Sequence, residues 1–179
     1  MNINMIPLST PCLNGNEWKY IKECLDTRWV STAGRYVGRF EEEICKYSGA
    51  KYAVACVNGT AGLQVALQLV GVGMGDEVLV PTLTFIAPVN VVKYLHAEPV
   101  FMDCDDYMNI DPEKLYDFCR EECYITDRGL INKKSGRAVK AVIPVHIFGN
   151  PCDMSGIMCI AERYSLKVIE DATESLGAF

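Results

Sequence analysis

An acidic pair at the end of a short apolar segment is the feature of this sequence that most directly indicates chemistry. Val168 and Ile169 are followed by Glu170 and Asp171. In α/β proteins ligands bind at the carboxyl ends of the strands, so a strand that ends here would place the Asp171 carboxylate at that edge. Such a carboxylate keeps a basic ring nitrogen protonated, because the opposite charge favours the cation. An Asp in this place can also simply cap the next helix.

A second candidate lies in the turn that contains Asn58, Gly59, Thr60 and Ala61. Gly59 allows the backbone to approach a ligand, and free N–H groups of Thr60 and Ala61 at a helix start would bind an anion such as phosphate. The alternative is a plain turn in which Asn58 or Thr60 caps the helix. Neither a Walker A loop nor a Gly-x-Gly-x-x-Gly motif occurs, which weighs against P-loop and dinucleotide enzymes.

Two further segments end in residues that could contact a ligand. Phe85 follows Pro81-Thr82-Leu83-Thr84 and could stack on a flat heteroaromatic ring, although a core Phe is the alternative. His146 lies in the segment 144–149. We interpret this single His as a hydrogen-bonded structural residue rather than as a base.

The elements that must position these residues alternate along the chain. Hydrophobic periodicity predicts helices at 14–29, 37–47, 60–70, 85–95, 111–122 and 153–164, and strands at 52–57, 77–81, 99–103, 138–145 and 166–170. Residues 127–137 are predicted to form an exposed polar loop. The alternation predicts a three-layer α/β fold with a mainly parallel sheet. No repeat or linker marks a domain boundary.

Composition narrows the class of protein. The chain has 179 residues, half of them hydrophobic, and a net charge of −6 without a basic stripe. These values predict one sizeable core and small-molecule ligands, with no nucleic acid and no membrane as partners. Without a transmembrane run or a secretory signal, we expect a cytoplasmic protein. The nine cysteines contain no Cys-x-x-Cys pair, so we predict no metal site and reduced, mostly buried thiols.

Thr60, Phe85 and Asp171 would meet at one edge of the predicted sheet. They offer an anion-binding site, an aromatic ring for stacking and a carboxylate in a fixed position, which are the three features that pyridoxal 5′-phosphate (PLP) requires. The cofactor supplies an electron-withdrawing ring for carbanion chemistry.

In combination and order, these motifs resemble the DegT-type nucleotide-sugar aminotransferase family of fold type I PLP enzymes. The segments that carry the resemblance are Trp29–Gly34, Phe40–Glu41, Asn58–Leu63, Gly75–Val78, Pro81–Phe85, Pro99–Asp103, Pro144–Gly149 and Glu170–Gly177. The resemblance implies that residues 1–179 are the N-terminal portion of the PLP-binding large domain.

The resemblance also implies roles for individual residues. These are Gly59, Thr60 and Ala61 at the cofactor phosphate, Phe85 on its ring, Asp171 at the ring nitrogen, Glu174 near the ring hydroxyl, and Ser31, Thr32 and Gly34 near the sugar nucleotide. Asp171 is the only one of them with a catalytic role.

The opening of the chain, from Ile6-Pro7-Leu8 onward, is most similar to enzymes that aminate C4 of a UDP-linked 4-keto-6-deoxy-N-acetylhexosamine with glutamate. Members of the family are homodimers. Their Schiff-base lysine and small C-terminal domain lie beyond the matching residues, so the resemblance implies a truncated chain without that lysine. A PLP-dependent sugar dehydratase and a non-catalytic binding or assembly module stay open as alternatives.

Overall fold

The computed structural model describes residues 6–7 and 10–178. Leu8 in the opening motif and the final residue, Phe179, lie outside the described residues. The chain divides into two compact units, one up to Ala55 and the other from Cys56 onward.

The first unit contains helices α1 (Glu17–Thr27) and α2 (Arg35–Ser48), which confirms both predicted helices with slightly different bounds. Gly49 ends α2 in the left-handed conformation, with φ of 74°. Within the described part of the chain neither helix has a buried residue, so their apolar faces are exposed.

The predicted buried strand at 52–57 is wrong. These residues contribute no strand to the sheet, and the side chain of Val57 is 88% exposed. An apolar pattern of this kind shows only that side chains could cover a sheet face. It does not supply the neighbouring strand that would place them there.

The second unit contains all the described strands and the remaining helices. The helices are α3 (Gly59–Leu69), α4 (Ile86–Tyr94), α5 (Pro112–Asp117) and α6 (Met154–Tyr164), with a π-helical turn at Phe118–Glu122 and a 3-10 turn at Ile147–Gly149. The strands are β1 (Glu77–Pro81), β2 (Glu98–Met102), β3 (Cys123–Thr126), β4 (Gly129–Asn132), β5 (Ala138–Val142) and β6 (Lys167–Val168).

The sheet has the order β2-β1-β5-β4-β3, and β6 pairs with the second half of β5. β1, β2, β5 and β6 are parallel, so their carboxyl ends lie at one edge. Alternate β1 residues face opposite ways: Val78 and Val80 belong to a core cluster with α3 and α4, and Leu79 to one with α5 and α6. Helices therefore cover both faces, which confirms the α/β fold with a mainly parallel sheet.

The predicted polar loop at 127–137 is also wrong. β3 and β4 form an antiparallel hairpin, and β4 pairs antiparallel with β5. Leu130 and Ile131 are buried, and the Asn132 amide donates a 2.8 Å hydrogen bond to the buried Glu77 carboxylate. The short apolar segment is flanked by polar residues, so the sequence pattern around it is typical of a loop. Its burial depends on pairing with β5, which follows it in the chain.

All nine cysteines are free thiols, but the prediction that they are mostly buried is wrong. Only Cys119, Cys123 and Cys152 are buried. Burial raises the pKa of the Cys119 thiol from 9.0 to about 12, and the pKa values of Cys123 and Cys152 to about 11. These three thiols therefore stay protonated and unreactive in the folded protein at neutral pH.

The raised pKa of Cys119 predicts a loss of stability in alkaline solution. The unfolded thiol ionises first as the pH rises, so its contribution is full below about pH 9 and disappears toward pH 12. The free energy of unfolding, measured by urea titration, should fall between pH 7 and pH 10 in the wild type. In Cys119→Ala this fall should be smaller by about 1 kcal/mol. The exposed Cys159→Ala serves as the control. An identical decline in Cys119→Ala and the wild type would contradict the raised pKa.

Candidate functional site

A cavity of about 530 Å³ in the second unit lies among the segments that follow β1, β5 and β6 and the start of α3. Its lining includes Gly59, Thr60, Phe85, Asp171 and Glu174. Residues from four separate motifs thus meet at one place, although Ala61 is not among the lining residues. The segments after β1, β5 and β6 converge because the parallel sheet brings successive strand ends to one edge.

The start of α3 combines a helix cap with a candidate anion-binding site. Asn58 has extended backbone angles, and its side-chain oxygen accepts the Ala61 N–H at 2.8 Å. Within the described residues, the N–H groups of Gly59 and Thr60 have no hydrogen-bond partner. The cap that sequence analysis left open is therefore present, and it leaves two N–H groups available to an anion while it engages the third.

Phe85 immediately precedes α4 and is 76% exposed. The alternative that it is a core residue is therefore wrong. An exposed aromatic ring in the wall of a cavity can stack on a flat ring without rearrangement of the core. Beside it, the Thr84 hydroxyl is buried and has no hydrogen-bond partner among the described residues.

The backbone of Asp171 and one of its two carboxylate oxygens are hydrogen-bonded. Its N–H donates to the Pro144 carbonyl at 2.9 Å, and its carbonyl accepts the His146 N–H at 3.1 Å. Its Oδ1 accepts the N–H and the hydroxyl of Thr173 at 3.1 and 2.5 Å. Asp171 thus caps a turn rather than a helix. In the described part of the chain Oδ2 has no partner, which leaves an acceptor for a cationic N–H.

Glu174 and His146 hold the backbone around the cavity. The Glu174 Oε2 accepts the Phe148 N–H at 2.7 Å. His146 is 4% exposed, and its Nδ1 accepts the Cys152 N–H at 3.0 Å, so the ring proton belongs on Nε2. Nε2 lies 2.8 Å from a Glu170 oxygen. Both ring nitrogens are occupied, which confirms the interpretation of His146 as a hydrogen-bonded structural residue.

Ser31, Thr32 and Gly34 belong to the first unit. The Gly34 N–H donates to the Ser31 carbonyl at 3.3 Å, and Gly34 is the N-cap of α2. Ser31 and Gly34 line a cavity of about 380 Å³ together with Trp29 and Arg35, and Thr32 does not line it. A role of these residues in sugar-nucleotide binding stays a prediction.

A larger depression of about 740 Å³ lies beside the start of α5 and is lined by acidic side chains. Three of these carboxylates are already engaged: Asp105 accepts the Asn109 N–H, Asp111 accepts the Glu113 N–H, and Asp153 accepts the Gly156 N–H. These acids stabilise turns and helix starts. The smaller cavity, with its exposed ring and open donors and acceptor, is the better candidate site.

Sequence reasoning gave no role to Thr173 or Phe148, which both line the cavity. Thr173 lies two positions after Asp171, and this Asp-x-Thr spacing is a recognisable signal for a side-chain-capped turn. Phe148 gave no such signal, because its position depends on a left-handed backbone conformation that the sequence does not reveal.

Comparisons with known proteins give consistent matches. The model of the DegT/DnrJ/EryC1/StrS aminotransferase family matches residues 11–179. GDP-perosamine synthase of Caulobacter vibrioides is 45% identical over 97% of this chain and 43% of its own length. GDP-perosamine synthase of Vibrio cholerae is 37% identical, with the same two coverages. The chain thus spans less than half the length of these relatives.

Solved structures give the same result. An aminotransferase from Psychrobacter cryohalolentis superposes with a TM-score of 0.81 and 36% identity, covering 97% of this chain and 40% of that one. GDP-4-keto-6-deoxymannose-3-dehydratase with a trapped PLP-glutamate geminal diamine gives 0.79 and 27%, covering 97% and 42%. Among the described helices, none has the length and apolarity that a membrane crossing requires.

Proposed function

The chain belongs to the DegT/DnrJ/EryC1/StrS aminotransferase family, whose members depend on PLP, and from this premise we propose that it is the N-terminal portion of the large domain of a sugar aminotransferase. The observation that carries the proposal is the lining of one cavity by Thr60, Phe85 and Asp171. The residues present fit the cofactor, since they offer open N–H groups, an exposed ring and an open carboxylate oxygen.

The cavity residues predicted from the sequence have proposed contacts with the cofactor phosphate and ring. The Gly59 and Thr60 N–H groups bind the cofactor phosphate. Ala61 acts here only if its N–H leaves Asn58. Phe85 stacks on the pyridine ring. When bound, PLP supplies an electron-withdrawing ring that stabilises a carbanion on the amino donor.

Two carboxylates complete the proposed contacts. Asp171 accepts the ring N–H through Oδ2 and keeps that proton in place, while the two Thr173 donors fix the orientation of its carboxylate. Glu174 uses Oε2 for the Phe148 N–H, and its other oxygen, which has no partner among the described residues, approaches the ring hydroxyl.

The comparisons correct the proposed substrate. The expected UDP-linked N-acetylhexosamine is not supported, because relatives at 45% and 37% identity are GDP-perosamine synthases. We therefore assign a GDP-linked 4-keto-6-deoxyhexose as the amino acceptor, aminated at C4, and glutamate as the donor. Ser31, Thr32 and Gly34 are proposed to contact the sugar nucleotide. The complete enzyme is proposed to be a cytoplasmic homodimer.

A second candidate is a sugar dehydratase of the same family. The similarity to GDP-4-keto-6-deoxymannose-3-dehydratase, at a TM-score of 0.79, favours it. The residue that distinguishes the two activities, the Schiff-base lysine or a His in its place, lies beyond the matching segments. The non-catalytic binding or assembly module is less well supported, because the matching family model is an aminotransferase family and the relatives are GDP-perosamine synthases.

The experiment is an assay of the complete enzyme that carries this chain, loaded with PLP and supplied with glutamate. GDP-4-keto-6-deoxymannose and a UDP-linked 4-keto-6-deoxy-N-acetylhexosamine are compared as acceptors, with mass spectrometry of the products. We expect nitrogen to be gained on the GDP sugar. Loss of oxygen without gain of nitrogen would identify the dehydratase, and reaction with the UDP sugar alone would contradict the assignment of GDP.

A further inference from the structure

Phe148 has an unusual combination of backbone and side-chain environment. Its φ and ψ are 55° and 22°, the left-handed region that residues other than glycine rarely adopt. Its side chain is 70% exposed, and it lines the same cavity as Phe85. A bulky residue is thus held in a strained conformation although its ring buries little apolar surface.

The contacts of the 3-10 turn hold this conformation in place. The Glu174 Oε2 accepts the Phe148 N–H at 2.7 Å. The next residue, Gly149, has φ of 81°, and a Cβ there would lie 3.2 Å from the Glu174 carbonyl oxygen. Backbone strain persists only where the surrounding structure imposes it, and the hydrogen bond to Glu174 is one such constraint on Phe148. The close approach of the Glu174 carbonyl oxygen explains why the next position is glycine.

The segments on either side of Phe148 are held by the buried Asn109. Its Oδ1 accepts the Ile147 N–H at 3.3 Å. Its amide donates to the carbonyls of Asn150 and Pro151 at 3.2 and 3.1 Å. The backbone of the turn is therefore fixed before and after Phe148, while the exposed Phe148 ring lines the cavity.

Among the described residues the Phe148 ring buries little apolar surface, so the folding of this part of the chain gains little from it. Glycine adopts the same backbone angles without strain, and little apolar surface would be lost. We propose that Phe148 is a second aromatic contact for a six-membered ring bound in the cavity, and that Glu174 is the positioning residue that holds it there. The inference rests on the proposed function, which supplies two such rings, the pyridine of the cofactor and the hexose of the substrate.

The test uses the complete enzyme with Phe148→Ala, which removes the ring, and Phe148→Gly, which removes the ring and the strain. Both variants should raise either the dissociation constant of PLP from the apoenzyme or the KM for the sugar nucleotide by about tenfold. A change in the PLP dissociation constant assigns the pyridine, and a change in KM alone assigns the hexose. In the apoenzyme, Phe148→Gly should also melt about 2 °C or more above Phe148→Ala.

Phe101→Ala is the matched control, because Phe101 is 52% exposed on β2 and does not line the cavity. It should change neither constant. If Phe148→Ala also changes neither in an enzyme that binds PLP, the inference is overturned while the proposed function stands. A wild-type enzyme that binds no PLP would overturn the proposed function itself.

The positioning role of Glu174 has a separate readout. Glu174→Gln keeps an acceptor for the Phe148 N–H and should retain most binding, whereas Glu174→Ala should lose it. In the double variant with Phe148→Ala, Glu174→Ala should cause a smaller further loss than it does alone. Fully additive losses would show that Glu174 acts independently of Phe148 and would overturn the positioning role.

Discussion

Asp171→Asn is expected to lower the turnover of the complete enzyme by about 100-fold or more, with little change in stability. The structure gives the reason. The Asn oxygen can replace Oδ1 and accept the two Thr173 donors, so the turn is retained. The amide NH₂ then takes the place of Oδ2 and presents a donor where the ring N–H needs an acceptor.

The size of this effect follows from the lost ion pair. Without a carboxylate the ring nitrogen is no longer held protonated, and the ring withdraws electrons less strongly. A 100-fold fall in turnover corresponds to about 2.7 kcal/mol of transition-state stabilisation. Steady-state kinetics with glutamate and the sugar nucleotide measure it, and urea unfolding of the same variant should differ from the wild type by less than about 1 kcal/mol.

The neighbouring carboxylate provides the control for Asp171. Glu170→Gln also removes one negative charge but keeps an acceptor for the His146 ring, and its turnover should stay within a few-fold of the wild type. Wild-type turnover in Asp171→Asn would remove Asp171 from its proposed role. Equal losses in both variants would indicate a general effect of charge at this edge of the sheet.

His146→Ala is expected to cause the largest loss of stability, about 3 kcal/mol. The ring is buried, so its removal leaves a cavity. It also leaves the buried Cys152 N–H without its 3.0 Å acceptor, which costs about 1–3 kcal/mol. Urea denaturation of the chain, followed by circular dichroism, measures the change.

His146→Asn separates the two causes, because its side-chain oxygen can accept the Cys152 N–H while the ring volume is still reduced. We expect it to recover about 1 kcal/mol relative to His146→Ala. If His146→Ala is as stable as the wild type, the hydrogen-bonded role of this residue is refuted. A loss of turnover without any loss of stability would instead indicate a direct role in chemistry.

The periodicity of apolar side chains was sufficient to predict most helices and the parallel strands of this protein. Val78 and Val80 on β1, for example, lie within a run that is apolar on both faces, as a central parallel strand requires. Such patterns are local, so the sequence contains them in full. The order of the motifs was equally informative, because parallel strands bring their carboxyl ends to one edge. For that reason the meeting of Phe85 and Asp171 in one cavity was predictable, whereas Thr60 lies there although the strand predicted before it is absent.

Pairing, burial and local backbone angles were not predictable in the same way. The hairpin of β3 and β4 depends on β5, which follows it in the chain, and the segment at 52–57 has a strand pattern but forms no strand. The exposed state of Phe85 and the left-handed angles of Phe148 depend on what surrounds them. The sequence by itself determined that Phe85 and Asp171 reach the site, because periodicity and strand order are written in it. Only the tertiary structure decided which side chains are exposed to the cavity, because burial and contacts such as the Phe148 N–H to Glu174 hydrogen bond join residues that are distant in the chain.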